Sequence, residues 1–160
     1  MTDNTKEWWI NAIGYQVNTR TFFDGNNDGI GDLEGIIQKL EYIKELGIDF
    51  IWINPIYSSP NRDNGYDISD YYSINPEYGD IEIFNNLIKK FNELGIKVVM
   101  DLVINHTSDE HPWFKEAKKS RENRYHDYYL WSGETQEGYP NDWKSFFRGS
   151  VWTYEKSVNQ

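Results

Sequence analysis

One four-residue phrase occurs twice in this chain, and it constrains the fold more than any other feature. Glu45-Leu46-Gly47-Ile48 reappears as Glu93-Leu94-Gly95-Ile96. Each copy closes a helical pattern and opens an apolar run, so a helix-to-strand joint is written twice. Before the first copy, Leu33, Ile36, Ile37, Leu40, Ile43 and Leu46 recur at three- and four-residue spacing, the mark of an amphipathic helix. Asp32 is placed to cap its start and Gly47 its end. Phe50 to Ile53 (FIWI) then reads as a strand buried on both faces. Phe84, Leu87, Ile88, Phe91 and Leu94 make the second helix, and residues 97–104 (KVVMDLVI) the third strand. The first strand is expected over residues 12–23 (AIGYQVNTRTFF), although Gly14 weakens it. Strands alternating with helices imply parallel pairing through right-handed crossovers. An open doubly wound sheet and the opening of a (β/α)8 barrel both satisfy this. Residues 54–78 read as a long loop. After Asn105 the alternation stops. Residues 111–120 can form a short helix with Pro112 in its first turn. The rest of 107–160 reads as irregular, aromatic and polar, with short antiparallel strands, like an insertion after the third strand.

Charge and composition narrow the function classes. The formal net charge is -10, from 26 acidic and 16 basic residues. Nucleic acid or an anionic membrane is therefore not an expected partner, since phosphates need basic patches. No G-x-G-x-x-G or G-x-x-x-x-G-K-[ST] phosphate-binding motif marks a nucleotide site. Zero Cys excludes disulfides, thiolate zinc sites and Cys nucleophiles. No basic segment leads into an apolar run near the N-terminus, and nowhere do 18 apolar residues follow in succession. A soluble, cytoplasmic protein is the expectation. Aromatic residues make up 17% of the chain, enough for a core and a ligand-stacking cleft.

Three motifs carry chemistry. In residues 24–32 (DGNNDGIGD), Asp24, Asn26, Asp28 and Asp32 place oxygens at even spacing, and the Ile30 carbonyl stands where a backbone ligand is expected. One such loop can wrap a calcium ion. It opens like an EF-hand loop, but Gly35 stands at the twelfth position where the bidentate Glu belongs. A solvated turn feeding a helix is the alternative. Residues 63–67 (DNGYD) set Tyr66 between Asp63 and Asp67, a stacking face beside acceptors that suits a sugar ring; an Asn-Gly turn is the alternative. Third, Asp101 interrupts the apolar third strand and needs a partner there. Asn105 and His106 follow at its C-terminal end, where His106 can serve a substrate hydroxyl, act as acid or base, or be structural.

In their order and spacing these motifs resemble the N-terminal portion of the α-amylase superfamily, glycoside hydrolase family 13. The likeness is strongest to its α-glucosidase branch, with oligo-1,6-glucosidases and trehalose-6-phosphate hydrolases. It runs from Trp8-Trp9 through residues 28–33 (DGIGDL), 64–71 (NGYDISDY) and 101–108 (DLVINHTS) to Ser145-Phe146-Phe147. The family usually has Tyr-Gln-Ile-Tyr-Pro-Arg where this chain has Tyr15-Gln16-Val17-Asn18-Thr19-Arg20, and Gly14 replaces a β-branched residue. The resemblance implies an α/β fold: residues 1–106 as the first three strands and two helices of a (β/α)8 TIM barrel, and residues 107–160 as most of an inserted domain B. It implies Asp24, Asn26, Asp28, Ile30 and Asp32 as ligands of a structural Ca2+. It implies Asp63, Tyr66 and His106 as ligands of a glucose unit, Tyr66 stacking on the ring. By the same resemblance Asp67 is a carboxylate paired with a later Arg, and Asp101 a structural Asp beside the substrate. The expected substrate is an α-linked glucose oligosaccharide, cleaved with retention. The family's nucleophile and acid/base come later in the barrel, so no catalytic carboxylate is expected in these 160 residues, and the rest of the enzyme becomes an expected partner. A non-catalytic carbohydrate- or calcium-binding module is the alternative.

Overall fold

A computed structural model describes residues 7–133 and 139–160. Its contacts divide the chain into two compact units, Met1–His106 and Thr107–Gln160.

In the first unit a three-stranded parallel sheet forms from β1 (Gly14–Val17), β2 (Phe50–Ile53) and β5 (Lys97–Met100), in the order β1-β2-β5. Tyr15 pairs with Ile51 and Val17 with Ile53; Ile51 in turn pairs with Val98 and Ile53 with Met100. Side chains alternate across a strand, so this register puts all six residues on one face. Helices α2 (Leu33–Gln38), α3 (Leu40–Glu45) and α4 (Ile81–Glu93) supply the apolar stripe that covers it. The core is Val17, Leu33, Ile36, Ile43, Ile51, Ile53, Ile56, Tyr78, Leu87, Phe91 and Ile96. The other face carries Gln16, Trp52 and Val99, and this polar-aromatic row leads to the candidate site.

Both repeated joints are built as the sequence implies. Gly47 and Gly95 take left-handed φ of 67° and 74°, ending α3 and α4, and the chain turns straight into β2 and β5. Asp32 accepts the Gly35 N–H at 2.6 Å and Asp80 accepts the Ile83 N–H at 2.8 Å, so each helix start is capped by a carboxylate.

Four expectations are corrected. The first strand ends at Val17, because Thr19–Phe22 curls into a single helical turn, α1. The returning loop satisfies that backbone: Gly31 N–H donates to the Arg20 carbonyl at 2.8 Å and Asp32 N–H to that of Phe23 at 3.2 Å. Second, the helix expected over 33–46 bends at Lys39, whose φ and ψ are -99° and 14°; its ammonium stands 3.9 Å from the Phe23 ring centroid. Third, the loop 54–78 contains an antiparallel pair, β3 (Tyr57–Ser58) with β4 (Asp70–Ile74), which holds residues 59–69 out as an arm. Fourth, the third strand is only Lys97–Met100. Leu102 and Ile104 beyond it are 73% and 75% exposed, not buried.

Within the second unit, helix α5 (Pro112–Ala117) begins at Pro112, and His111 caps it by accepting the Trp113 N–H at 3.1 Å. His126 and Phe114 both stack on Trp131, with ring centroids at 4.6 and 6.1 Å. A single antiparallel bridge joins Lys144 to Ser150. An aromatic cleft of about 640 Å³ lies among Phe114, Trp131, Trp143 and Trp152. Among the described residues no helix is long and apolar enough to cross a membrane. Residues 1–6, on which the reading of the N-terminal segment mostly rests, lie outside the described residues.

Candidate functional site

The site assembles where β2 and β5 end and the arm 59–69 folds over them. Asp101 follows β5 directly and keeps the phase of Val99, so it shares the polar-aromatic face with Trp52 of the neighbouring strand. The Trp52 indole N–H donates to Asp101 Oδ1 at 2.8 Å, and the Tyr66 hydroxyl donates to Oδ2 at 2.8 Å. Both oxygens of a half-buried carboxylate thus receive donors, and charge-assisted bonds of this kind are among the stronger ones. Burial, then the Asp101 hydrogen bond, then the charges of Asp101 and Asp63 push the Tyr66 phenol up to about 12. Tyr57 is also raised, by burial first and then by the Asp101 charge.

Tyr66 is delivered by a tight turn. Asn64 and Gly65 both have positive φ, 51° and 91°, and the Tyr66 N–H closes on the Asp63 carbonyl at 3.0 Å. Two left-handed central residues are the type I′ signature, which explains the Asn-Gly pair. Turn and site are therefore the same structure: the turn that the sequence offers as an alternative is what aims Tyr66 at Asp101. Asp67 braces the arm from within. Its carboxylate accepts Ser59 Oγ at 2.8 Å, Arg62 N–H at 2.9 Å and Asp63 N–H at 3.1 Å.

His106 joins the same cradle. Its Nε2 lies 3.0 Å from the Tyr66 carbonyl and its Nδ1 lies 3.1 Å from the Asn105 amide nitrogen. A carbonyl only accepts, so Nε2 carries the proton and Nδ1 receives the amide donor; this is the neutral ring in one tautomer. The Tyr71 hydroxyl lies 2.7 Å from the Val103 carbonyl and 2.9 Å from that of His106, its single proton shared between them, and so ties this stretch of backbone. The structure therefore brings Tyr66, Asp101 and His106 together, with Asp63 and Asp67 in the turn and arm that carry Tyr66.

Trp52, Tyr57 and Tyr71 escape the sequence reading. For Trp52 a signal existed: in the run 50–53 it falls out of phase with Ile51 and Ile53, and a buried indole N–H requires an acceptor. Asp101 is the carboxylate in phase on the adjacent strand. Gly14, which departs from the resemblance, is explained by the same face. A Cβ there would stand 2.2 Å from Phe50 Cζ, so the missing side chain makes room for the Phe50 ring.

The loop 24–32 is organised by its own side chains. Asp24 accepts the N–H groups of Asn27 at 2.6 Å and Gly29 at 2.8 Å; Asn26 Oδ1 accepts Asp28 N–H at 2.9 Å; Asp28 Oδ1 accepts Ile30 N–H at 2.8 Å. The Gly29 N–H, followed by those of Asn27 and Asp28, holds the Asp24 carboxyl below the ordinary carboxylate range. Asp32 is 3% exposed, and its Oδ2 is buried without a partner. Among the described residues no three His, Asp or Glu side chains converge as a metal cluster.

The family described as alpha amylase, catalytic domain, matches residues 16–160. An oligo-1,6-glucosidase of Parageobacillus thermoglucosidasius is 52% identical over 153 residues, which is 96% of this chain and 27% of that protein. An alpha-glucosidase of Pediococcus pentosaceus is 51% identical, covering 98% of this chain and 28% of that one. Among solved structures, Bacillus licheniformis trehalose-6-phosphate hydrolase superposes with a TM-score of 0.91 at 51% identity, over 96% of this chain and 28% of its own. Isomaltulose synthase from Erwinia rhapontici NX5, solved with its natural substrate sucrose, gives 0.92 at 51%, over 95% and 27%. The chain thus spans little more than a quarter of the length of these relatives. The likeness decides between the two α/β architectures: the parallel strands are the N-terminal part of a (β/α)8 barrel, not a doubly wound sheet.

Proposed function

Since this chain belongs to the alpha-amylase family, we propose that it is the substrate-gripping part of a retaining α-glucosidase acting on α-linked glucose oligosaccharides. One observation carries the reading: Tyr66, Asp101 and His106 meet at the C-terminal end of parallel barrel strands, where active sites of this architecture form. Tyr66 offers a ring face to the sugar, with Asp63 beside it. His106, a neutral donor at Nε2, can turn from the Tyr66 carbonyl to a sugar hydroxyl at the cost of one weak bond.

Retaining hydrolysis needs one carboxylate as nucleophile and another as acid/base. Asp67 and Asp101 suit neither task, because their oxygens already accept three and two internal donors. They hold the cradle, and the attacking groups come from the complementary part of the barrel, which we take as the partner of this segment. A cysteine-free, acidic chain is in keeping with a reducing cytoplasm.

The loop 24–32 is proposed to hold a structural Ca2+ through Asp24, Asn26, Asp28, the Ile30 carbonyl and Asp32. The fit rests on the donor set, all hard oxygen, and on the orphaned Asp32 Oδ2. The ion would tie the loop to the start of α2 and leave the chemistry to other residues.

Calorimetry of the chain with methyl α-D-glucoside, paired with an aryl α-glucoside assay, tests the reading. We expect measurable affinity, lost on Tyr66→Ala, and no turnover until the complementary part of a relative is added. Turnover by the chain alone that Asp101→Ala abolishes would overturn the division of labour. Absence of any sugar affinity would overturn the reading itself.

A further inference from the structure

We propose that Trp52 is a positioning residue of the sugar cradle: its indole N–H pins Asp101 in the orientation that receives the Tyr66 hydroxyl, and so fixes the ring on which the sugar rests. The inference rests on the sugar-binding reading above and adds a residue to it. Three observations support it. Trp52 lies on β2 opposite Val99 of β5, and Asp101, the first residue past β5, keeps the phase of Val99, so the two are neighbours on one face. The Trp52 and Tyr66 bonds, both 2.8 Å, go to different oxygens of one carboxylate. A carboxylate rotates about its last bond, so with one oxygen anchored the position of the other is set. The two donors also come from elements of different rigidity. Trp52 is held in a parallel strand between two partners, whereas Tyr66 stands in a turn on an arm. Order therefore passes from the sheet, through the carboxylate, to the turn.

Other features lead less far. The loop 24–32 and His106 belong to sites already described. The aromatic cleft of the second unit has nothing in the structure to identify an occupant.

The test uses the 160-residue chain with Trp52→Phe, which keeps an aromatic side chain and deletes the donor. Tyrosinate absorbance is followed through alkaline pH, with Tyr66→Phe identifying the Tyr66 step. In the native chain burial, then the Asp101 hydrogen bond, push that step up to about 12. In Trp52→Phe, with Asp101 free to swing away, the step should fall by about one unit, a roughly tenfold easier ionisation. A folded variant whose Tyr66 step stays put overturns the proposal. Should Trp52→Phe fail to fold, hydrogen exchange of the Trp52 indole proton decides instead. Protection in the native chain that survives Tyr66→Phe and is lost in Asp101→Ala supports the anchor, and an unprotected indole refutes it. Sugar affinity is read separately in a cycle of Trp52→Phe with Tyr66→Phe. Trp52→Phe should weaken methyl α-D-glucoside binding about tenfold alone and little in the Tyr66→Phe background. Equal losses in both backgrounds would show that Trp52 does not act through Tyr66. A native chain that binds no sugar would sink the functional reading while the titration still judges Trp52.

Discussion

Removing Asp101 should unfold the cradle before it affects anything else. Asp101→Ala deprives two donors of their acceptor, the Trp52 indole N–H and the Tyr66 hydroxyl, each 2.8 Å away. A hydrogen bond to a charged group contributes about 1.5–3 kcal/mol net, and a stranded buried donor carries its own desolvation cost. Here the carboxylate and both partners are only half-buried, so water can replace part of what is lost. The lower end applies twice, giving a destabilisation of about 3 kcal/mol. Asp101→Asn is not a mild version of the same change. Its Oδ1 can accept one donor, but its amide nitrogen must then face the other. About half the loss should remain, roughly 1.5 kcal/mol. Urea unfolding followed separately by Trp fluorescence and by far-UV dichroism measures both variants. The expected order is native above Asn above Ala, with sugar affinity falling in the same sequence. An Asp101→Ala chain within about 0.5 kcal/mol of native, the ordinary scatter for a surface change, would refute the idea that this carboxylate organises the site.

Further outcomes follow from the same geometry. Gly14→Ala should push the Phe50 ring aside and cost about 1 kcal/mol, the low end of overpacking, since Gly14 is exposed and only ring atoms must yield, and Phe50→Leu should relieve most of it; thermal melts of the four-member cycle would show additivity if the contact is irrelevant. Stability should fall at alkaline pH. The Tyr66 phenol, raised in the folded chain, is protonated in both states below its unfolded value of roughly 10, ionises first in the unfolded chain, and costs stability up to its folded value of about 12. The two-unit gap has a ceiling of roughly 2.7 kcal/mol, and partial exposure reduces it to about 1–2 kcal/mol; unfolding free energies that stay flat between those limits would contradict it. Millimolar Ca2+ should raise the melting temperature, and Asp28→Ala should remove the increment; at a hundredfold excess over Kd the gain is about 2.7 kcal/mol. A melt indifferent to Ca2+ and to chelator in the native chain would dismiss the metal.

Much of this arrangement was legible because local and global signals agree. The two Glu-Leu-Gly-Ile phrases state both the end of a helix and the start of a buried strand, and the glycines take the left-handed conformation such an end requires. Asp32 caps as its place ahead of an apolar period implies, and Asp80, which the sequence reading passed over, does the same for α4. Residues 63–67 were legible as a turn, and that turn brings the Tyr66 hydroxyl to Asp101. What stayed hidden depended on tertiary pairing. Trp52 looks like any other member of an apolar run until the register with β5 pairs it with Val99 and so brings Asp101, two residues on, to the same face. Lys39 looks like an ordinary helical residue until the Phe23 ring comes near it. The early end of β1 is set by carbonyls that a distant loop claims, and local propensity says nothing of such claims.

The strand that proved shorter than its sequence shows the same division at larger scale. Residues 97–104 are apolar throughout, apart from Lys97 and Asp101, and a parallel strand reads that way because both of its faces are to be covered. On the helix side the cover is present: Val98 and Met100 pack on the core beneath α4. Past Met100 the chain leaves the ladder, and Leu102 and Ile104 lie open while Val103 is buried. Apolar identity thus records that a residue is to be covered, without recording by what. In a barrel the outer face of a strand is covered by helices and the inner face by side chains of other strands, which can lie far along the chain. Asp101 sits at the boundary between these two regimes. Its partners Trp52 and Tyr66 lie within the first unit, so its chemistry could be read from the pairing of two neighbouring strands. The exposed Leu102 and Ile104 have no such local reading. They continue the phase of Val98 and Met100, the face that α4 covers further back along the strand, while Asp101 keeps the phase of Val99 and turns to the cradle.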